Sequence, residues 1–120
     1  MALESLEEIA TYIVADGKGI LAADESNPTC GKRFESIGVE STEENRRDYR
    51  EMLFRAEGVK NNVGGVILFD ETIRQKAGDG TPLVDLITSQ GALPGIKVDK
   101  GLKPLDYSPE ETVTQGLDGL

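Results

Sequence analysis

With 120 residues the chain fits one modest domain, and its 38% hydrophobic and 29% charged composition is that of an ordinary folded protein. Its 22 acids against 13 bases leave a net charge of −9, which argues against nucleic-acid or anionic-membrane partners, since phosphate surfaces demand a basic footprint. Absence of histidine excludes His-containing triads and His metal sites, and a single cysteine, Cys30, excludes a disulfide framework or a Cys-based zinc pattern.

Residues 4–15 place Leu6, Ile9, Ala10 and Ile13 at helical spacing, with Gly17 as a stop. A strand of small residues follows over 19–24 and runs straight into Asp24. Ser41-Thr42-Glu43-Glu44 has the form of a capping box, a hydroxyl followed three residues later by a glutamate. Behind it Tyr49, Met52, Leu53 and Ala56 define the apolar face of a helix over 42–57, closed by Gly58. Val63 to Phe69 is an unbroken apolar run, the mark of a strand buried on both faces. Thr81-Pro82 opens another helix with proline at its first position, and Leu83, Leu86 and Ile87 form its buried stripe. Gly91 and Pro94 end it, and Gly95–Asp99 reads as a third strand. A second cap signal, Ser108-Pro109-Glu110-Glu111, lies in the tail.

Alternation of helix and strand predicts a parallel α/β sheet with right-handed crossovers. Three such strands leave two unpaired edges, to be covered by partner chains or by further polypeptide. The acidic N-terminus carries no apolar signal core and no apolar run has membrane-spanning length, so a soluble intracellular protein is expected.

Chemistry in parallel barrels gathers where strands end, which makes Asp24 a candidate acid/base group; the alternative is an acid that caps the following turn or helix. Lys97, between Ile96 and Val98, is the stronger anomaly. It reads either as an ion pair with Asp24 or Asp99, or as a desolvated lysine capable of imine chemistry. Lys32-Arg33 and Arg46-Arg47 are basic pairs suited to phosphate, or simply solvated helix charges. The Gly-rich spacing of a P-loop is absent.

Six ordered blocks, GKGILAADES, KRFESIGVE, TEENRRDYR, GGVILFDET, GIKVDKGLKPL and QGLDGL, resemble the N-terminal part of a class I fructose-1,6-bisphosphate aldolase. The ESNPTCGKR variant is most similar to the plastid or cyanobacterial type. The resemblance implies that residues 1–120 are the N-terminal part of a single barrel domain. They would form a partial (β/α)8 TIM barrel, its first three strands with their helices. It implies reversible cleavage of fructose 1,6-bisphosphate to dihydroxyacetone phosphate and glyceraldehyde 3-phosphate through a lysine imine. It implies that no cofactor or metal is needed, and that the full-length form would be a homotetramer in the cytoplasm or the plastid stroma.

By the same resemblance Asp24 takes part in the proton and C–C bond steps. Lys97 supports substrate binding and local charge balance. Arg33 and Arg46 match arginines linked to substrate phosphate, and Thr29 stands where animal-type enzymes carry a phosphate-binding serine. The imine-forming lysine is placed on a later strand, outside these 120 residues, so the chain alone is expected to be inactive. The alternative is a non-catalytic module that binds sugar phosphates or assembles with another barrel segment.

Overall fold

A computed structural model describes residues 3–120; Met1 and Ala2, part of the expected domain, lie outside the described residues. The elements follow in order as α1 (Leu6–Ile13), β1 (Gly19–Ala23), α2 (Asn27–Glu35), α3 (Glu43–Arg55), α4 (Glu57–Asn62) and β2 (Val63–Leu68). After these come α5 (Asp70–Ile73), α6 (Leu83–Ser89), β3 (Leu93–Ile96), β4 (Leu102–Leu105) and β5 (Ser108–Thr114). Strands β1, β2 and β3 form a parallel sheet in that order, with the unbroken apolar run of β2 at its centre.

Helix termini follow local chemistry, though not always the expected residues. Ser5 and Glu8 close a true capping box at α1, which the expected start at residue 4 did not single out. At α3 the cap is Thr42, whose hydroxyl accepts from the Asn45 N–H at 3.1 Å; the Ser41 hydroxyl is turned to Arg46 instead. The helix expected over 42–57 breaks at Ala56, whose extended backbone separates α3 from α4, so Gly58 lies within a helix rather than closing one. Pro82 sits at the N-cap of α6, one residue earlier than expected. The helix α2, with Pro28 in its first turn, was given no bounds by the sequence, although Lys32-Arg33 read as helix charges.

One face of the sheet packs against α3 and α6. Ala23, Phe54, Val66, Leu68, Leu83, Leu86, Ile87 and Ala92 make this core. The other face carries Ile20, Ile67 and Leu93 toward α1, leaving an apolar groove of about 570 Å³ beside Ile9 and Ile13. Close approach of α1 depends on Gly64: a Cβ there would overlap the Ile13 carbonyl.

The tail corrects two expectations. The third strand runs over Leu93–Ile96, not Gly95–Asp99, and lies at an edge of the described sheet. Ser108-Pro109-Glu110-Glu111 does not start a helix but opens β5, which pairs antiparallel with β4 across a turn at Tyr107. Pairing with residues 102–105 supplies the backbone partners that a helix would otherwise need. The chain then returns onto the 98–101 segment, where Lys100 N–H donates to the Gln115 carbonyl at 2.8 Å and Gly116 (φ 135°) passes too close to Val98 for any side chain.

Candidate active site

Register brings the two leading candidates to one place. Ala23, Leu68 and Ile96 form a paired row across β1, β2 and β3. Asp24 and Lys97 are each the next residue after that row. Alternation puts both on the sheet face opposite the helix-packed core, together with Ala22, Ile67 and Gly95. They stand two strands apart, roughly 10 Å at the backbone, and the long lysine side chain closes that gap across β2.

Lys97 Nζ donates to Asp24 Oδ2 at 3.4 Å and to Asp99 Oδ1 at 2.5 Å. Its backbone N–H still continues the ladder, donating to the Leu68 carbonyl at 2.9 Å. The lysine side chain is 29% exposed and that of Asp24 is 24% exposed, so the pair lies at a wetted rim rather than in a dry core. Asp99 chiefly, and Asp24 with it, raise the Lys97 pKa above its ordinary value, while Lys97 lowers that of Asp99. The third strand, expected to include Lys97, ends at Ile96, and of the two readings of Lys97 the structure shows the ion pair: a paired ammonium just past an edge of the described sheet. An imine-forming lysine requires the opposite shift.

Beside Asp24, the Glu25 side chain is only 8% exposed and accepts from the Arg33 guanidinium at 2.9 Å and the Tyr49 hydroxyl at 3.0 Å. Burial, then Glu25, push the Tyr49 pKa up. Arg33 lies in the last turn of α2, and its side chain is 59% exposed beyond this pairing. Thr29, in the first turns of α2, shares a 3.1 Å hydrogen bond with Ser26 and faces solvent.

Arg46 is placed differently. Its Nε and Nη2 both bond the Glu71 carboxylate at 2.8 Å, and its Nη1 reaches the Ser41 carbonyl at 2.7 Å. The forked pairing holds the arginine pKa up and the Glu71 pKa down. A phosphate at Arg46 would have to displace this carboxylate. Neither Arg33 nor Arg46 makes a hydrogen bond or ion pair with Lys97 or Asp24 among the described residues.

Sequence reasoning missed Arg50. It is 1% exposed, and it reaches from α3 to the end of β1, where Nε donates to the Ala23 carbonyl at 3.0 Å and Nη2 to the Glu25 carbonyl at 2.7 Å. Its Nη1 lies 3.0 Å from the Cys30 sulfur. The signal was present: Arg46, Arg50 and Phe54 recur every fourth residue, and this stripe, not the one through exposed Met52, is the buried face of α3.

Parallel strands joined by helices, with a carboxylate–lysine pair just beyond the strand ends, define a segment of a (β/α) barrel enzyme. The chain belongs to the class I fructose-bisphosphate aldolase family, whose model matches residues 5–120. It is 55% identical to a probable class 1 fructose-bisphosphate aldolase of Xanthomonas axonopodis over all of this chain and 36% of the relative. It is also 58% identical to the fructose-bisphosphate aldolase of Drosophila melanogaster over 98% of this chain and 33% of the relative. A solved fructose-bisphosphate aldolase from Plasmodium falciparum, in complex with TRAP and a small-molecule inhibitor, superposes with a TM-score of 0.86 at 50% identity. That match covers 92% of this chain and 32% of the other. The chain thus spans about a third of the length of the relatives it matches.

Proposed function

We propose that this chain contributes one wall of the active site of a class I fructose-1,6-bisphosphate aldolase, with the imine-forming lysine supplied from polypeptide outside these 120 residues. The observation that carries this reading is the Lys97–Asp24 contact at the strand ends, 3.4 Å across two strands, within a chain of this family. Cleavage removes the proton of the C4 hydroxyl, breaks C3–C4 and sends the electron pair toward the imine nitrogen. In this reading Asp24 handles protons beside the breaking bond. Lys97 stays charged, offsets part of the negative charge of Asp24 and Asp99, and supports substrate binding. Arg33 and Thr29 take a phosphate, while Arg46, already committed to Glu71, supports the fold around them. The substrate class is thus sugar bisphosphates, no cofactor is required, and the whole protein is a cytosolic homotetramer.

Borohydride trapping with dihydroxyacetone phosphate tests the assignment. Mass spectrometry of the treated chain is expected to show no substrate label on any of its lysines. Label on Lys97 would overturn the role given to it. Residues 1–120 exchanged into the Xanthomonas relative in place of the matching segment are expected to restore fructose 1,6-bisphosphate cleavage; a stable, folded exchange protein with no turnover would refute the reading.

A further inference from the structure

Arg50 presents an unusual balance of charge. Its guanidinium is buried, yet among the described residues no carboxylate lies within ion-pair distance of it. All of its directed contacts go to neutral acceptors: two backbone carbonyls and a thiol. The ring of Tyr49, 5.3 Å from the guanidinium carbon, is its remaining neighbour of note. Burying a cation on such terms is costly, and a methionine or leucine would fill the same space more cheaply. What the guanidinium accomplishes there is specific. The carbonyls it grips belong to residues 23 and 25, one on each side of Asp24.

We propose that Arg50 is a positioning residue for Asp24, clamping the two peptide carbonyls that bracket it so that the carboxylate is held toward Lys97. This rests on the reading of Asp24 and Lys97 as the working pair, and extends it to a residue on another element. The planar fork matters. Nε and Nη2 point in fixed, near-parallel directions and engage the two carbonyls at once, which a lysine ammonium on a flexible stem cannot do. Cys30 completes the arrangement from α2, so the thiol anchors the third arm of the fork and ties the first turns of α2 to the end of β1. Asp24 lies beyond the last paired row of the sheet, and while Arg33 and Tyr49 hold the Glu25 side chain, it is Arg50 that grips the backbone on both sides of Asp24.

The experiment reads the Lys97 titration by NMR in the chain labelled at lysine side chains. Asp24→Asn removes one of the two carboxylates that raise this pKa, so it shifts the Lys97 midpoint downward. Arg50→Lys keeps a charge but not the fork. It is expected to shift the midpoint in the same direction, and to add nothing further in the Asp24→Asn background, since both changes act through one carboxylate. General loss of stability would not produce that pattern.

An unchanged Lys97 midpoint in folded Arg50→Lys, or shifts that simply add, would overturn the proposal. Should Arg50→Lys fail to fold, Cys30→Ala serves, since it frees the third arm and removes the thiol's own 3.8 Å contact with the Glu25 carbonyl, leaving Nε and Nη2 in place. A downward shift that disappears in the Asp24→Asn background supports the clamp, and an unmoved midpoint refutes it. The readout needs no turnover, so its failure is distinct from failure of the aldolase reading, which borohydride trapping and the exchange protein decide.

Discussion

Lys97 and Asp24 are separated by 73 positions in the chain, yet their side chains meet at 3.4 Å. The contact exists because Ala23, Leu68 and Ile96 share one row of the sheet, and the residue after each strand inherits that alignment. Lys97 is nearer to Asp99 than to Asp24, and this asymmetry sets an order of effects. Asp99→Asn is expected to lower the Lys97 pKa more than Asp24→Asn does. In the unaltered chain Lys97 should hold its proton beyond the ordinary lysine value of 10.5. Its folded pKa is raised, so the stability it contributes is present below that value and is lost as pH climbs through the folded midpoint. Side-chain NMR titration of the three proteins checks both statements.

In the aldolase exchange protein, Asp24→Asn is expected to lower kcat by roughly 10²–10⁴-fold, the usual contribution of a positioned acid/base group. Arg33→Met and Thr29→Val should act mainly on KM, because a phosphate contact is made in ground and transition states alike. Steady-state kinetics with fructose 1,6-bisphosphate separates the two patterns. Equal loss of kcat in Thr29→Val would show that its hydroxyl does more than hold phosphate.

The Arg46–Glu71 pair is forked and mostly shielded from water, with the two side chains 12% and 20% exposed. Glu71→Gln should therefore cost about 2 kcal/mol, the scale of hydrogen bonds to a charged group. Its carboxyl has a depressed folded pKa, principally through Arg46. The stability it brings is present above the unfolded value near 4.5 and fades as pH falls through the folded one. Urea midpoints measured from pH 7 to pH 3 should fall for the unaltered chain, and fall less steeply for Glu71→Gln.

Two glycines should respond in opposite ways to alanine. A Cβ at Gly64 would overlap the Ile13 carbonyl, and backbone cannot yield as a side-chain tip can, so Gly64→Ala should destabilise by about 3 kcal/mol as α1 is pushed from the sheet. Gly58 lies in α4 with open space around it, and Gly58→Ala should stabilise by about 0.5–1 kcal/mol through the entropy of the unfolded chain. Thermal or urea denaturation of both variants distinguishes them.

Much of the frame was legible from residues alone. The apolar run at Val63 to Phe69 could only be a strand buried on two faces, and the alternation of elements required a parallel sheet. Local signals became unreliable where a non-local partner outbid them. Ser108-Pro109-Glu110-Glu111 carries a helix cap, but the segment from Ser108 to Thr114 pairs with residues 102–105 in a hairpin instead. Arg50 was passed over because a charged residue on a helix is ordinarily solvated, and nothing local announces that two carbonyls and a thiol await it 20–27 residues away.

Residues read along the chain were enough for the family resemblance, for the three parallel strands in their order, and for marking Asp24 and Lys97 as residues of interest. Periodicity and ordered motifs are properties of the chain read along its length. Only the tertiary structure decided the state of those residues. Register across three strands brought Lys97 to Asp24 as a paired ammonium, while the packing of α3 gave Arg46 to Glu71 and placed Arg50 around the backbone of Asp24. Charge state and orientation depend on what stands a few ångströms away, and for these residues that neighbour is mostly far off in sequence.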